Sequence, residues 1–348
     1  METVRRENET KKKKKCKNRI IAAPIAYYTP ETNLAFGGAG SYIFRMGGCK
    51  DNTRPSSVSP VTIYTLNKQF SVQLKADLYF KNNDFRMETE VKMQKYPDKF
   101  YGIGSATLKE AEEAFTSRST NFYLSFFKKI AKGLYVGLKY HFTHWSITET
   151  EADGQLIGGE VTGSMGGTIS GLSLLVNRDS RDNIFFPMKG EFFQLNAGTY
   201  KEFLGSDFDF SEFKLDLRKY FTLFSNHVFA VQFLAHAQSG SVPFMNLAKM
   251  GGENNMRGYF AGRFRDKNLL VFQAEYRLPL VWRLGLVGFA GFGNVAEKFS
   301  QLNLGSLKPS YGVGLRFLFD KKEKIQVRMD IGFGKGTSGF YFSIFEAF

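Results

Sequence analysis

Two histidines three residues apart, His141 and His144, are the first place to look for metal chemistry in this chain. The residues around them alternate apolar and polar, and successive side chains on a strand point to opposite faces. The pair therefore cannot converge on one ion, and no metal site is expected. Cys16 and Cys49 have neither CxxC spacing nor neighbouring ligands and read as incidental thiols. No G-x-S-x-G elbow occurs. Gly334-Lys335-Gly336-Thr337-Ser338-Gly339 lacks the Walker spacing and reads as a hairpin turn. Neither catalysis nor a cofactor is expected. What remains is a guanidinium in an unusual setting, in the run Gly251-Gly252-Glu253-Asn254-Asn255-Met256-Arg257-Gly258-Tyr259. Its chemistry is ion pairing: a buried unpaired charge is costly. If Arg257 is more than a solvated loop residue, it needs acids such as Glu275 or Asp330 nearby.

The elements that must position this loop show a period of two. Phe70, Val72, Leu74, Ala76, Leu78 and Phe80 share one face, against Ser71, Gln73, Lys75, Asp77 and Tyr79. After the turn Asn82-Asn83-Asp84, Phe85, Met87, Thr89, Val91 and Met93 alternate with Arg86, Glu88, Glu90, Lys92 and Gln94. The pattern recurs to the end of the chain in about sixteen segments. A helical period would scatter those charges round the axis.

Composition agrees with a wall wet on one side and oily on the other. The 348 residues include 37 Phe and 35 Gly but only 9 Pro. No run of about 18 apolar residues exists, which excludes a helical membrane protein. Together these predict an all-β fold: a transmembrane antiparallel barrel of about sixteen strands, with a long lumen-folded loop before strand 12. An even count closing first strand to last leaves no open edge in lipid. A soluble β-sandwich is the alternative, and so many outward Phe argue against it.

Residues 1–19 form a basic tail, expected to be disordered, and 20–348 the barrel domain. The tail supplies +6 of the formal net charge of +14, from nine basic and three acidic side chains. Nucleic acid is not expected as a partner, since no stacking platform or helix-turn-helix follows it. Ile20 to Thr32 enters the barrel, and Leu34 to Met46, with Gly37, Gly38 and Gly40, reads as a glycine-rich first strand. Thr107 to Ala114 could form a short helical turn. Phe340 to Phe348 reads as the terminal strand. No secretory signal is visible: Ile20 to Tyr28, the only early apolar run, is interrupted by Pro24.

Three stretches resemble the BamA/TamA (bacterial surface antigen) family of outer-membrane β-barrels. Asp179-Ser180-Arg181-Asp182-Asn183, followed by Pro187 and Gly190, is similar to its strand–turn–strand signature. Read without the resemblance, it is a charged turn between strands. Met256-Arg257-Gly258-Tyr259 is similar to the tip of the family's lumen loop. The terminal aromatic strand, with Phe340, Phe342, Ile344 and Phe348, resembles the β-signal read by the assembly machinery. The family's inward acid in an F-x-D-x-G strand is missing: Phe289-Ala290-Gly291-Phe292-Gly293 has Gly there. Either the usual ion pair is absent, or Glu275 or Asp330 takes the acid's place.

The resemblance implies a place in the bacterial outer membrane and a role in outer-membrane protein assembly, insertion or translocation. Its partners would be outer-membrane lipid, the barrel-assembly machinery during biogenesis, and client outer-membrane proteins. With only a short segment before the barrel, POTRA domains are expected to be absent. A weak seam between a glycine-rich first strand and a short last strand would let the wall open. A stand-alone pore or structural barrel, plugged by the Arg257 loop and without insertase activity, is the other reading.

Overall fold

The computed structural model describes residues 18–46, 53–320 and 324–348. Most of the basic tail, with Cys16, and also Cys49, lie outside the described residues. Eighteen strands form among the described residues. Sixteen close into one antiparallel barrel, and two short ones, β12 (Ala248–Met250) and β13 (Phe264–Asp266), pair inside the long loop. The barrel strands run β1 (Arg19–Thr29), β2 (Asn33–Phe44), β3 (Ser56–Thr65), β4 (Phe70–Phe80), β5 (Phe85–Phe100) and β6 (Glu113–Ala131). They continue through β7 (Leu134–Thr150), β8 (Gly167–Asp179), β9 (Gly190–Tyr200), β10 (Phe210–Thr222) and β11 (Val228–Gly240). After the loop come β14 (Asn268–Pro279), β15 (Leu284–Ala296), β16 (Lys308–Asp320), β17 (Ile325–Gly334) and β18 (Thr337–Ile344). The loop thus precedes the twelfth barrel strand, β14.

The period of two is what builds this wall. On β4, Phe70, Val72 and Leu74 are exposed on the outer face, the profile of a lipid-facing band. On β14 the inner positions Leu269, Val271, Gln273, Glu275 and Arg277 are buried, the first four against the loop inside and Arg277 against Pro187 and Phe348. Thr107–Glu112 holds a turn and no helix, because residues from Glu113 onward are already committed to β6.

The ends of the barrel differ from expectation. Arg19–Thr29 is itself the first strand, so the glycine-rich segment is the second. Gly37, Gly38 and Gly40 pair with β1 on one side and β2's other neighbour is β3. They do not line the seam. The last strand stops at Ile344, where Phe345 takes φ 71° and turns the following residues into the lumen. Phe348 is buried against Tyr220 and Ala230 and is not part of the terminal strand.

Side chains pack across part of each mouth. At the rim opposite the termini, Leu156 and Phe244 from two loops pack with Phe100, Phe115, Trp145 and Phe210 of the strand ends. At the terminus-side mouth, residues 345–348 and the β8–β9 turn lie together, with Phe185 stacked on Phe345 at 4.8 Å.

Candidate functional site

The loop between β11 and β14 folds into the lumen and docks on the inner wall of β14–β18. Met250, Met256, Tyr259 and Phe264 of the loop form a buried cluster with Leu234, Leu269, Val271 and Val295 of the wall. Two features of the sequence make this approach possible. Gly258 adopts φ 102°, a region costly for any residue with a Cβ, and its backbone lies against Phe333. Across from it, β17 carries Gly332 and Gly334. A Cβ on Gly332 would sit 2.8 Å from the Arg257 carbonyl carbon, and one on Gly334 would sit 2.5 Å from the Tyr259 ring. The inner face of β17 is therefore a groove cut for the loop tip.

Arg257 lies in that groove, 1% exposed. Its Nη1 donates to Asp330 Oδ2 at 2.5 Å, and its Nη2 donates to Glu275 Oε1. Its guanidinium lies 3.6 Å from the Phe289 ring centroid. The phenyl ring comes from the strand that lacks the expected acid. The missing Gly291 carboxylate is thus replaced twice over, by Glu275 and Asp330 together. Burial opposes the charge on Arg257, while Glu275 and Asp330 overcome that opposition and hold the guanidinium more firmly protonated than a free one.

The pair belongs to a larger network. Arg277 bonds Glu275 at 2.9 Å, Arg316 bonds Asp330 at 2.5 Å and Glu346 at 2.9 Å, and Arg328 bonds Glu253 at 2.6 Å. Four guanidinium groups thus meet four carboxylates, so the network is charge-balanced. Such neutralisation is what lets so many ions be buried together. The tip's backbone is held as well. Gly258 N–H donates to Tyr341 Oη at 2.9 Å, Ser310 Oγ donates to the Arg257 carbonyl, and Tyr259 Oη donates to the Pro309 carbonyl at 2.9 Å.

The loop also reaches the first hairpin. Ala261 N–H donates to Glu31 Oε1 at 2.6 Å in the β1–β2 turn. Burial raises the Glu31 carboxyl above its ordinary range, against the opposing pull of the Ala261 N–H. On β12, burial drives the Lys249 ammonium down to about 8. Glu31, Tyr341 and Arg316 are parts of this site that sequence reasoning missed. The inward positions of Tyr341 and Arg316 were readable from strand parity, but which loop would meet them was not, and Glu31 lies in a turn that parity does not reach.

The β8–β9 signature forms a stitched turn. Arg181 Nη2 lies 2.7 Å from Asp179 Oδ2. Asp182 Oδ1 accepts from Met188 N–H at 2.9 Å and Lys189 N–H at 3.2 Å, and Asn183 Oδ1 accepts from Phe185 N–H at 2.7 Å. Gly190 then re-enters the wall with φ 106°. The turn is joined to the docking network, because Arg277 donates to the Pro187 carbonyl at 3.2 Å and to the Phe348 backbone oxygen at 2.9 Å. His141 faces the lumen and bonds Tyr200 and Asn121, whereas His144 is exposed outside. Among the described residues no group of three His, Cys, Asp or Glu side chains could hold a metal.

At the seam, β1 and β18 share a single register pair, Tyr28 with Phe342. Neighbouring strand pairs each share eight or more partners (β17 and β18, for example, run from Val327/Ile344 to Gly334/Thr337). Tyr28 and Phe340 add one tilted ring contact at 5.6 Å. The β1 edge below Tyr28 has no partner strand among the described residues.

Solved structures with this architecture are distant in sequence. BamA from Haemophilus ducreyi lacking POTRA domains 1-3 aligns with TM-score 0.67 at 14% identity, over 94% of this chain and 71% of that one. CdiB from Acinetobacter baumannii aligns with TM-score 0.59 at 13% identity, over 94% of this chain and 59% of that one. CdiB from Escherichia coli gives 0.59 at 9% identity, over 94% and 67%. The chain therefore spans only part of the length of these proteins. No curated protein sequence is significantly similar to it. The Omp85 superfamily domain model matches residues 54–348, which takes in every strand from β3 to β18 and the loop between β11 and β14. The chain belongs to the Omp85 superfamily.

Proposed function

We propose that this barrel works in outer-membrane protein assembly, catalysing insertion of a client β-barrel by pairing the client's edge strand with β1. The observation that carries the reading is the seam. A wall otherwise zipped by long ladders is closed here by one register pair, Tyr28 with Phe342. An unpaired strand edge in hydrocarbon is costly and is a ready template for another strand. The docked loop supports the reading in a second way. It braces β14 to β18 as one rigid unit, through Arg257 on Glu275 and Asp330, so that movement concentrates at the seam.

The test is reconstitution. The protein is placed in phosphatidylcholine vesicles, an unfolded outer-membrane barrel is added, and its folding is followed by heat-modifiable gel mobility. The reading expects faster folding than in empty vesicles. An unchanged folding rate would overturn it.

A specific observation also favours a plugged barrel. The loop fills the lumen beside β14–β18, and the rim is capped by Leu156 and Phe244. On the plug reading alone, deleting 252–260 raises conductance in planar bilayers and leaves client folding unchanged.

A further inference from the structure

We propose that Pro24 and Glu346 together keep the β1 edge clear of this chain's own residues 345–348. The edge is thereby reserved for an extended segment of another polypeptide with apolar side chains facing lipid. The proposal rests on the strand-pairing reading of the seam and names what excludes the nearest competitor.

Backbone direction along β1 follows from two hydrogen bonds. Leu66 N–H donates to the Leu34 carbonyl, so Leu34 faces β3 and its partner Tyr28 faces away from β2, toward β18. Phe345 N–H donates to the Gln326 carbonyl, so Phe345 faces β17 and Phe342 faces β1. The two agree with the observed Tyr28/Phe342 pair. Hydrogen-bonding direction alternates along a strand, and the β1–β2 register has no shift from Arg19 to Thr29. Ile20, Ala22, Pro24 and Ala26 therefore present their backbone groups to the open edge.

Had β18 continued straight, each step of two residues would add a pair: Ala26 with Ile344, Pro24 with Glu346, Ala22 with Phe348. The middle pair fails on both sides. Pro24 has no N–H, so it leaves the Glu346 carbonyl without a donor in hydrocarbon. Glu346 has the parity of Phe340 and Ile344, which are exposed on the lipid face. Its carboxylate would enter the bilayer.

The chain avoids both costs by turning at Phe345, which places Glu346 inside. There it accepts from Arg316 Nε at 2.9 Å, and its side chain is 2% exposed. Ala347 and Phe348 bury themselves beside Tyr220 and Ala230. A foreign strand with an apolar outer face meets only the missing donor. It can bond on either side of Pro24, in two short runs that are weak enough to release. The edge positions are small beyond Ile20, namely Ala22, Pro24 and Ala26, which leaves room for a partner's larger side chains.

The test is disulfide trapping in phosphatidylcholine vesicles with no client present. Ala22→Cys/Phe348→Cys reports a tail paired with β1, and Tyr28→Cys/Phe342→Cys is the positive control. Each pair is oxidised in the native background, with Pro24→Val, and with Pro24→Val/Glu346→Val. Heat-modifiable mobility confirms a folded barrel. The control pair is expected to cross-link in all three. The 22/348 pair should be near background in the native chain, several-fold higher with Pro24→Val, and close to the control in the double substitution. Pro24→Val leaves the lumen network untouched, so it decides the matter if loss of Glu346 prevents folding. Cross-linking of 22/348 at control level in the native background would overturn the proposal, as would its absence in every folded variant. Client folding is measured separately on the same vesicles. Zipped variants that still insert client would refute the insertion reading and leave the exclusion of the tail intact.

Discussion

Arg257 and Asp330 lie 73 positions apart in the chain, yet Nη1 and Oδ2 approach to 2.5 Å inside the barrel. That contact ties a loop beginning after β11 to the next-to-last strand. Glu275 on β14 completes the clamp from the other side.

Removing the guanidinium should therefore unsettle the whole dock. Arg257→Ala leaves two buried carboxylates short of one partner each, although Arg277 and Arg316 still serve them. Breaking a buried pair costs about 3–5 kcal/mol, and the remaining arginines place this case near the lower end. The midpoint of urea unfolding in detergent, read by heat-modifiable mobility, should fall accordingly. An unchanged midpoint would mean that the clamp adds nothing to stability.

The glycine groove offers a second probe, because it changes packing at the loop tip without removing a charged group. Gly332→Ala and Gly334→Ala place a methyl group against the Arg257 backbone and the Tyr259 ring. Overpacking of this kind costs about 1–3 kcal/mol. The wall itself should accept alanine, so the expected outcome is a displaced plug in an intact barrel, seen as raised conductance with normal gel mobility. Gly38→Ala is the control, since nothing lies within 4 Å of its added Cβ. Equal conductance for all three would argue against a groove shaped for the loop.

Strand parity made most of the wall legible from sequence. The oily faces of β4 and β5, the inward Glu275 and Arg277, and the hairpin at Lys335–Gly336 all follow from alternation and turn residues. Arg257 and its two acids were legible as chemistry, because a buried charge needs partners, although alternation alone could not choose between Glu275 and Asp330. The ends of the barrel were not legible. Pro24 and the flanking alanines hid a first strand, because that strand has one unpaired edge and its pattern lacks the large outward residues of the others. The turn at Phe345 was hidden for a related reason. Phe340, Phe342 and Ile344 alternate into Glu346 without interruption, and only the cost of placing that carboxylate in lipid reveals the break.

The pH dependence of the dock follows from two groups outside the wall strands. Glu31 has its folded value raised by burial, so its contribution is greatest below the ordinary value of 4.5 and is lost as pH rises through the higher folded value. Lys249 is lowered from 10.5 to about 8, so its charge opposes docking below about 8, and stability is regained as pH rises from there toward 10.5. The loop should be held least firmly near neutrality. Hydrogen exchange across 251–263 should show a minimum in protection there. Glu31→Gln should flatten the acid limb, and Lys249→Met the alkaline one. A monotonic profile would contradict this assignment.

The most direct test of the account is to lock the seam at Tyr28 and Phe342, the one register pair that closes it. The Tyr28→Cys/Phe342→Cys variant in vesicles is assayed for client folding oxidised, and again after reduction. The account predicts that oxidation abolishes the acceleration of client folding and that reduction restores it. Full acceleration with the disulfide formed would show that the barrel does its work without opening between β1 and β18.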